Sequence, residues 1–148
     1  MPKLFVAITD DHWFNTLRGL GQLDEVNFWR PTPRAFRALN PGELFLFKLN
    51  YPINSIVGGG LFATYSELPI SLAWDAFEEK NGTLSFDDLK RRIIHYRGRV
   101  PDPNEDFRIG CILLEQPFFL PEEQWISMND VMPPNIQSRR SFDTTIEP

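Results

Sequence analysis

Two apolar runs, Leu44-Phe45-Leu46-Phe47-Lys48-Leu49 and Ser55-Ile56-Val57-Gly58-Gly59-Gly60-Leu61-Phe62-Ala63, flank the loop Asn50-Tyr51-Pro52-Ile53-Asn54. Short runs rich in Leu, Phe, Ile and Val are typical of buried strands. Asn40-Pro41-Gly42-Glu43 precedes the first run and has proline at the position that β-turns favour. Glycines inside a strand mark a bulge, a bend or a close approach of two backbones. We therefore predict an antiparallel hairpin at the centre of a curled sheet or small barrel.

Further strands and helices are predicted on both sides of this hairpin. Strand patterns cover residues 3–8, 25–29 and 109–114. Helical patterns with one apolar face begin near Asp11, Pro69 and Ser85. Five or six strands in a mixed or antiparallel sheet, with three helices inserted between them, predict an α+β fold rather than alternating strands and helices.

The composition is that of an ordinary globular domain. The chain has 148 residues, a formal net charge of −5 and 42% hydrophobic residues, so one domain is expected and general disorder is excluded. No apolar run approaches the roughly 20 residues that span a bilayer, and the N-terminal residues lack the features of a signal peptide. Cys111 is the single cysteine, which leaves no internal disulfide. We expect a cytoplasmic protein without a membrane partner, with one domain at residues 1–130 and an extended C-terminal tail at residues 131–148.

Few residues suit catalysis or metal binding. His12 and His95 are the two histidines and lie on different predicted helices, and one cysteine cannot complete the usual zinc-ligand spacing. Asp10 and Asp11 could act with His12 as the acid–base groups of a small hydrolase, or they could simply stabilise the start of a helix. We expect no cofactor and no metal, and we expect no catalysis by this chain alone.

The segment from Asn27 to Arg37 is the first candidate binding site. Alternation places Asn27 and Trp29 on the same side of a strand. An amide beside an indole can hydrogen-bond the edge of a flat ligand while the ring stacks on its face. Arg30, Arg34 and Arg37 follow and can bind phosphates. The alternative is that Trp29 belongs to the core and the arginines are scattered surface charges.

Three other places could contribute to binding. Lys48, Asn50 and Tyr51 lie where a barrel would open, although an ordinary loop with a buried tyrosine ring is also compatible with this pattern. Trp13 could line a pocket at the end of the first strand. A basic patch that contacts a nucleic-acid backbone, or a solvated helix face, could be formed by a further set of residues: Lys80, Lys90, Arg91, Arg92, Arg97 and Arg99.

Several stretches resemble the N-terminal domain of bacterial HNH-type restriction endonucleases. They cover nearly the whole chain in order, at residues 8–14, 24–31, 36–49, 56–60, 71–82 and 109–119. The domain resembles the PUA-like superfamily, which includes the EVE, YTH, ASCH and SRA domains. The turn Pro41-Gly42-Glu43, the apolar strand after it and Val57-Gly58-Gly59 are most similar to the EVE pattern.

This resemblance implies a small bent β-barrel with flanking helices that binds a modified base flipped out of double-stranded DNA. It implies the specificity domain of a modification-dependent HNH restriction endonuclease, with residues 131–148 leading toward the nuclease domain. The additional histidines of an HNH nuclease are absent from this sequence, so the chain alone should not cut DNA. A protein-interaction module, whose aromatic residues and prolines contact a partner chain, is an alternative.

Residue type and position suggest the individual roles in such a reader. Trp29 would stack on the base, with Trp13 or Tyr51 as further candidates. Asn27, Asp10 or Asn50 would hydrogen-bond its Watson–Crick edge. Arg30, Arg34, Arg37 and Lys48 would hold the phosphates.

Overall fold

The computed structural model describes residues 3–129 and 144–146 and confirms the α+β class. The strands are β1 (Leu4–Thr9), β2 (Glu25–Arg30), β3 (Leu44–Leu49), β4 (Ser55–Pro69), β5 (Arg108–Phe119), β6 (Ile126–Ser127) and β7 (Thr144–Ile146). The α-helices are α1 (Asp11–Gly19), α2 (Ile70–Phe77) and α3 (Phe86–Arg97). Two 3₁₀ helices span Glu78–Asn81 and Glu122–Gln124.

The strands form one mixed sheet in the order β2-β5-β4-β3-β1-β7, and β6 pairs with β4. The predicted hairpin is confirmed, because β3 and β4 pair antiparallel through residues such as Phe45 and Gly60. β1 lies parallel to β3 on the other side. Within the described residues the sheet is open, with β2 and β7 at its two ends. Because β1 and β3 are parallel neighbours, their carboxyl ends lie side by side.

The glycines of β4 allow two backbones to approach closely, as the sequence predicts. A Cβ atom on Gly58 would lie 2.3 Å from the carbonyl oxygen of Phe118 on β5. The pairing of β4 with β5 also shifts register between Gly59 and Leu61 and again between Phe62 and Thr64. Such bulges bend a strand and increase its twist. They let the long strand β4 curve around the core.

Two apolar clusters hold the helices against the sheet. Phe14 and Leu17 of α1 pack with Phe45, Phe47 and other residues of the sheet in the larger cluster. Ile70, Leu89 and Ile93 of α2 and α3 pack with residues of β5 in the second cluster. Trp29 is partly buried and contacts both clusters. The end of β2 is thus fixed between α1 on one side and α2 and α3 on the other.

Helix ends follow local sequence signals. The side chain of Asp10 accepts a hydrogen bond of 2.9 Å from the backbone N–H of Trp13 and caps α1. Ser85 caps α3 in the same way, by accepting from the N–H of Asp88.

No helix in the described part of the chain is both long enough and apolar enough to cross a membrane.

The predicted tail at residues 131–148 lies largely outside the described residues. Its residues Thr144–Ile146 form β7 and pair antiparallel with Leu4, Phe5 and Val6 of β1. The division of the chain at residue 130 and the approach to a nuclease domain stay predictions.

Candidate functional site

A cleft of about 750 Å³ opens where β1, β2 and β3 end next to the start of α1. This volume lies within the roughly 300–1,000 Å³ that small-molecule sites occupy. We use "the cleft" for the space lined by Ile8, Thr9, Asp10, Asp11, Trp13, Phe28, Trp29, Arg30, Pro31, Thr32, Pro33, Arg34, Asn50 and Tyr96. Six of the ten predicted binding residues are in this set: Asp10, Trp13, Trp29, Arg30, Arg34 and Asn50.

Two indole rings form part of the wall, and both are held in place by their own N–H groups. Nε1 of Trp29 donates to the backbone oxygen of Asn81 at 2.8 Å, and Nε1 of Trp13 donates to the backbone oxygen of Asn27 at 3.1 Å. Trp13 is 5% exposed and packs edge-on against Phe28, with ring centroids 5.1 Å apart. The half-buried Trp29 can offer a ligand its ring surface. Trp13, contrary to its predicted stacking role, is buried and serves as a fixed part of the wall.

Asp10 and Tyr96 join the start of α1 to the end of α3 across the cleft. The Tyr96 hydroxyl donates to Oδ2 of Asp10, whose Oδ1 caps the helix. Burial and the hydrogen bond to Asp10 raise the pKa of Tyr96 to about 12, so its hydroxyl stays protonated at neutral pH. Both oxygens of the Asp10 carboxylate therefore act as hydrogen-bond acceptors. Asn50 is exposed at the end of β3, where its Oδ1 accepts from the N–H of Tyr51 at 2.8 Å.

Arginines stand at the rim of the cleft. A terminal guanidinium nitrogen of Arg30 donates to the backbone oxygen of Arg34 at 3.1 Å, and its guanidinium lies 5.3 Å from the ring centroid of Phe36. The N–H of Arg34 donates to the hydroxyl of Tyr65 at 2.9 Å, and Arg97 donates to the oxygen of Pro31 at 3.1 Å. These bonds hold the segment 31–34 in place.

A second hollow of about 210 Å³ adjoins the cleft and shares Arg30 and Arg34 with it. Arg37, which is exposed, lines this hollow with Phe5, Ala35, Phe36 and Ala38. All three predicted phosphate-binding arginines therefore surround one hollow. Arginine is a residue type that binds phosphates.

Asn27 does not line the cleft, contrary to its sequence-based role. It shares a strand face with Trp29 as predicted, but that face is covered by the first 3₁₀ helix. Asn27 is fully buried, and its Nδ2 donates to Oδ1 of Asn81 at 2.8 Å and to Sγ of Cys111 at 3.4 Å. Its Oδ1 is buried without a hydrogen-bond partner among the described residues. Complete burial keeps this amide from the edge of a ligand in the cleft.

Lys48 is also misplaced by the sequence-based argument. Its side chain is fully buried, and Nζ donates to Oδ1 of Asn54 at 3.0 Å. Burial lowers the pKa of this ammonium group. A group enclosed in this way cannot contact a phosphate in solvent. Tyr51 does not line the cleft either. It lies on the loop between β3 and β4, where its side chain is 60% exposed to solvent.

Asp10, Asp11 and His12 do not line one common site. Asp10 and Asp11 line the cleft, but His12 does not. Nε2 of His12 lies 3.3 Å from Oδ2 of Asp88 and 3.3 Å from Oγ1 of Thr16. Within the residues described, no group of three or more His, Cys, Asp or Glu side chains could hold a metal ion.

Most of the alternative basic patch is paired with local acids. Lys80 contacts Asp24 at 2.8 Å and Glu25 at 3.6 Å. Arg91 and Arg92 both contact Asp88, and Arg99 contacts Glu105 at 2.8 Å. These ion pairs favour the interpretation of the six basic residues as surface charges on a solvated helix face, rather than as a patch that contacts nucleic acid.

Tyr96 is a polar cleft residue that the sequence analysis missed. The helical pattern assigns it to the apolar face of α3, and it lies 86 positions from Asp10 in the chain. No local motif signals a contact over that separation.

The described fold is similar to solved structures of ASCH proteins. The crystal structure of ASCH from Zymomonas mobilis matches with a TM-score of 0.57 and 12% identity, over 97% of this chain and 87% of that chain. A mutant form of the same protein, ZmASCH, matches with a TM-score of 0.55 and 12% identity, over 99% of this chain and 92% of that chain. ASCH domains have the PUA-like fold, so the expected PUA-like architecture is confirmed. No protein-family model and no curated protein matches the sequence.

Proposed function

We propose that this chain binds nucleic acid and takes one flipped base, carrying a modification, into the cleft. The observation that carries the proposal is the combination of fixed indole rings, a hydrogen-bond acceptor and rim arginines around one space of about 750 Å³. The PUA-like fold is compatible with this function. The resemblance of the sequence to the specificity domains of HNH restriction endonucleases points in the same direction.

Stacking supplies the energy that extrusion of a base requires. Flipping a nucleotide out of a duplex costs a few kcal/mol, and stacking on aromatic side chains is worth about 1–3 kcal/mol per base. Trp29 is positioned before a ligand arrives, so little side-chain freedom is lost on binding. Asp10 accepts hydrogen bonds and therefore suits a base edge that carries N–H donors.

The phosphates of the flipped nucleotide would lie in the second hollow, against Arg30, Arg34 and Arg37. The chain is acidic overall, with a net charge of −5, so a basic surface has to be local. Because Lys80, Arg91 and Arg99 are paired with acids, the rim of the cleft is the favoured place for it. Each phosphate contact made there contributes to the salt dependence of binding.

We further propose that the chain reads the modification for a restriction endonuclease and does not cut DNA itself. A modified plasmid incubated with this chain and Mg²⁺ should remain supercoiled. Nicking by the wild type that is lost in Asp11→Asn would contradict this and favour the hydrolase interpretation.

Fluorescence-polarisation titrations at low salt test the reader proposal. The panel is a set of matched duplexes with cytosine, 5-methylcytosine, 5-hydroxymethylcytosine, adenine or N6-methyladenine at one position. Trp29→Ala should weaken binding to the preferred duplex by roughly 5- to 150-fold, which corresponds to the stacking energy of one base. Equal and weak binding of the wild type to every duplex would refute DNA base reading.

Trp125→Ala is the matched control for Trp29→Ala. Trp125 is also half-buried and its Nε1 also donates to a backbone oxygen, that of Leu120 at 3.0 Å, but it does not line the cleft. Circular dichroism checks that both variants fold. Loss of affinity in both variants would indicate a general effect of removing an indole rather than a base contact.

The phosphate contacts are tested separately with exposed arginines. Arg34→Ala should weaken binding to all duplexes similarly and reduce the slope of affinity against salt by about one. Arg18→Ala changes the same charge at the far end of α1, away from the cleft, and should leave the slope unchanged. Identical slopes for the two variants would contradict the phosphate role of Arg34.

A further inference from the structure

The loop between β3 and β4 projects apolar side chains next to the cleft. Asn50 begins this loop and lines the cleft. Tyr51 follows it directly and is 60% exposed, and Ile53 is 43% exposed. Because consecutive Cα atoms lie about 3.8 Å apart, Tyr51 stands at the edge of the cleft. The loop therefore places two exposed apolar groups beside the space that would receive a base.

Buried hydrogen bonds hold the base of this loop. The N–H of Asn54 donates to the oxygen of Asn50 at 3.1 Å and closes the loop. The fully buried Asn54 also accepts from Lys48 at 3.0 Å and donates to Oδ1 of Asn129 at 2.8 Å. Its backbone oxygen accepts from the N–H of Met128 at 2.9 Å. A lysine is rarely buried completely, and here its ammonium group contributes to the anchoring of a loop.

A rigid tip with exposed apolar side chains is the feature that proteins insert between base steps of a duplex. Extrusion of a base leaves a space in the stack, and a flat ring at the edge of the receiving pocket is in the right place to fill it. Exposed apolar groups elsewhere, such as Leu84 and Val100, do not directly follow a cleft residue in the chain as Tyr51 follows Asn50. Arg30 and Arg34 line the same cleft as Asn50, so phosphates bound by them would lie on this side of the molecule.

We propose that Tyr51 and Ile53 enter the base stack of a double-stranded nucleic acid and fill the space that the flipped base leaves. This inference rests on the proposed function, since it requires a base in the cleft. It moves Tyr51 from the pocket wall, where the sequence placed it, to the duplex. It also makes the preference for a double strand depend on the loop, while recognition of the base depends on the cleft.

The experiment compares double-stranded with single-stranded probes. The probes are duplexes carrying 5-methylcytosine, 5-hydroxymethylcytosine or N6-methyladenine, and the corresponding modified strands alone. The double variant Tyr51→Ala/Ile53→Ala should bind the preferred duplex at least about tenfold more weakly than the wild type does. Its affinity for the single strand should stay within about twofold. Tyr51→Phe should retain duplex binding, because the ring and not the hydroxyl fills the space.

Leu84→Ala/Val100→Ala is the matched control, because it removes two exposed apolar side chains away from the cleft. It should bind both kinds of probe as the wild type does. A 2-aminopurine placed opposite the modified base gives an independent readout: at saturating protein its emission should differ between the wild type, which fills the gap beside it, and Tyr51→Ala/Ile53→Ala, which does not.

Unchanged duplex affinity in Tyr51→Ala/Ile53→Ala, or an equal loss for duplex and single strand, would overturn the inference and leave the proposed function standing. Wild-type binding to single strands alone would do the same. Failure of the wild type to bind any probe would overturn both.

Discussion

Replacement of Gly82 by alanine should destabilise the protein and disturb the wall of the cleft at once. Gly82 ends the first 3₁₀ helix with a φ of 81°, in the left-handed region. A Cβ atom at this position would lie 2.1 Å from Cδ1 and 2.6 Å from Cγ of the buried Trp13 ring. The Trp13 ring cannot move aside easily, because it packs edge-on against Phe28 and Phe47.

Substitution of Gly98 measures the cost of the left-handed backbone conformation alone, without the contact with Trp13. It ends α3 with a φ of 78°, and a Cβ atom added to it would have no heavy atom within 4 Å beyond its chain neighbours. Gly98→Ala should therefore cost only the left-handed conformation, about 1–2 kcal/mol. Gly82→Ala adds the overpacking of a core, about 1–3 kcal/mol, for a total of roughly 2–5 kcal/mol.

Urea unfolding of both variants measures these costs. The midpoint for Gly82→Ala should lie clearly below that for Gly98→Ala, with similar m-values. Under the reader proposal, Gly82→Ala should also weaken binding of the preferred duplex, and Gly98→Ala should not. Equal losses of stability in the two variants would refute the contact between Gly82 and the Trp13 ring as the reason for a glycine at this position.

Two further predictions concern the pH dependence of stability, because the pKa values of Lys48 and Tyr96 are shifted in the folded protein. Burial lowers the pKa of Lys48 below 10.5, so the unfolded chain binds more protons than the folded chain between that lowered pKa and pH 10.5. The free energy of unfolding of the wild type, relative to that of Lys48→Met, should rise with pH in this window; a flat difference would contradict the burial of the ammonium group. The pKa of Tyr96 is raised from 10.0 to about 12, so its contribution is complete below pH 10 and is lost as the pH rises toward 12. The stability difference between wild type and Tyr96→Phe should shrink over that range, and urea unfolding at several pH values checks both predictions.

Lys48 shows why the sequence misplaced one site residue. Simple alternation along β3 turns Lys48 away from the apolar face. Phe47 and Leu49 belong to the larger apolar cluster, so the alternation along β3 holds and the extra residue of the bulge at this point, Val57, lies on β4. The opposite face of β3 is also covered, and Lys48 is fully buried there with its Nζ bonded to Asn54. Alternation tells which face a side chain is on, but it does not tell what covers that face.

Asn27 shows the same limit on β2. Alternation correctly puts Asn27 and Trp29 on one face, but it does not tell what covers that face. Asn81, which is 54 residues beyond Asn27, reaches the Asn27 amide, and the backbone oxygen of Asn81 receives the Trp29 N–H. Residue type made both side chains candidates for the site, and only the position of the first 3₁₀ helix separated the buried one from the one in the cleft.

Local sequence was sufficient to specify the elements of this protein: the central hairpin, the helix starts near Asp11 and Ser85, and the α+β class. These features depend on interactions between neighbours in the chain, such as hydrophobic periodicity, turn chemistry and capping. Long-range packing, in contrast, determines which polar groups are buried and which meet in the cleft. The pair Asp10–Tyr96 and the anchoring of the Tyr51 loop join residues through packing of the whole sheet, and the free energy of such contacts depends on a geometry that no local pattern contains.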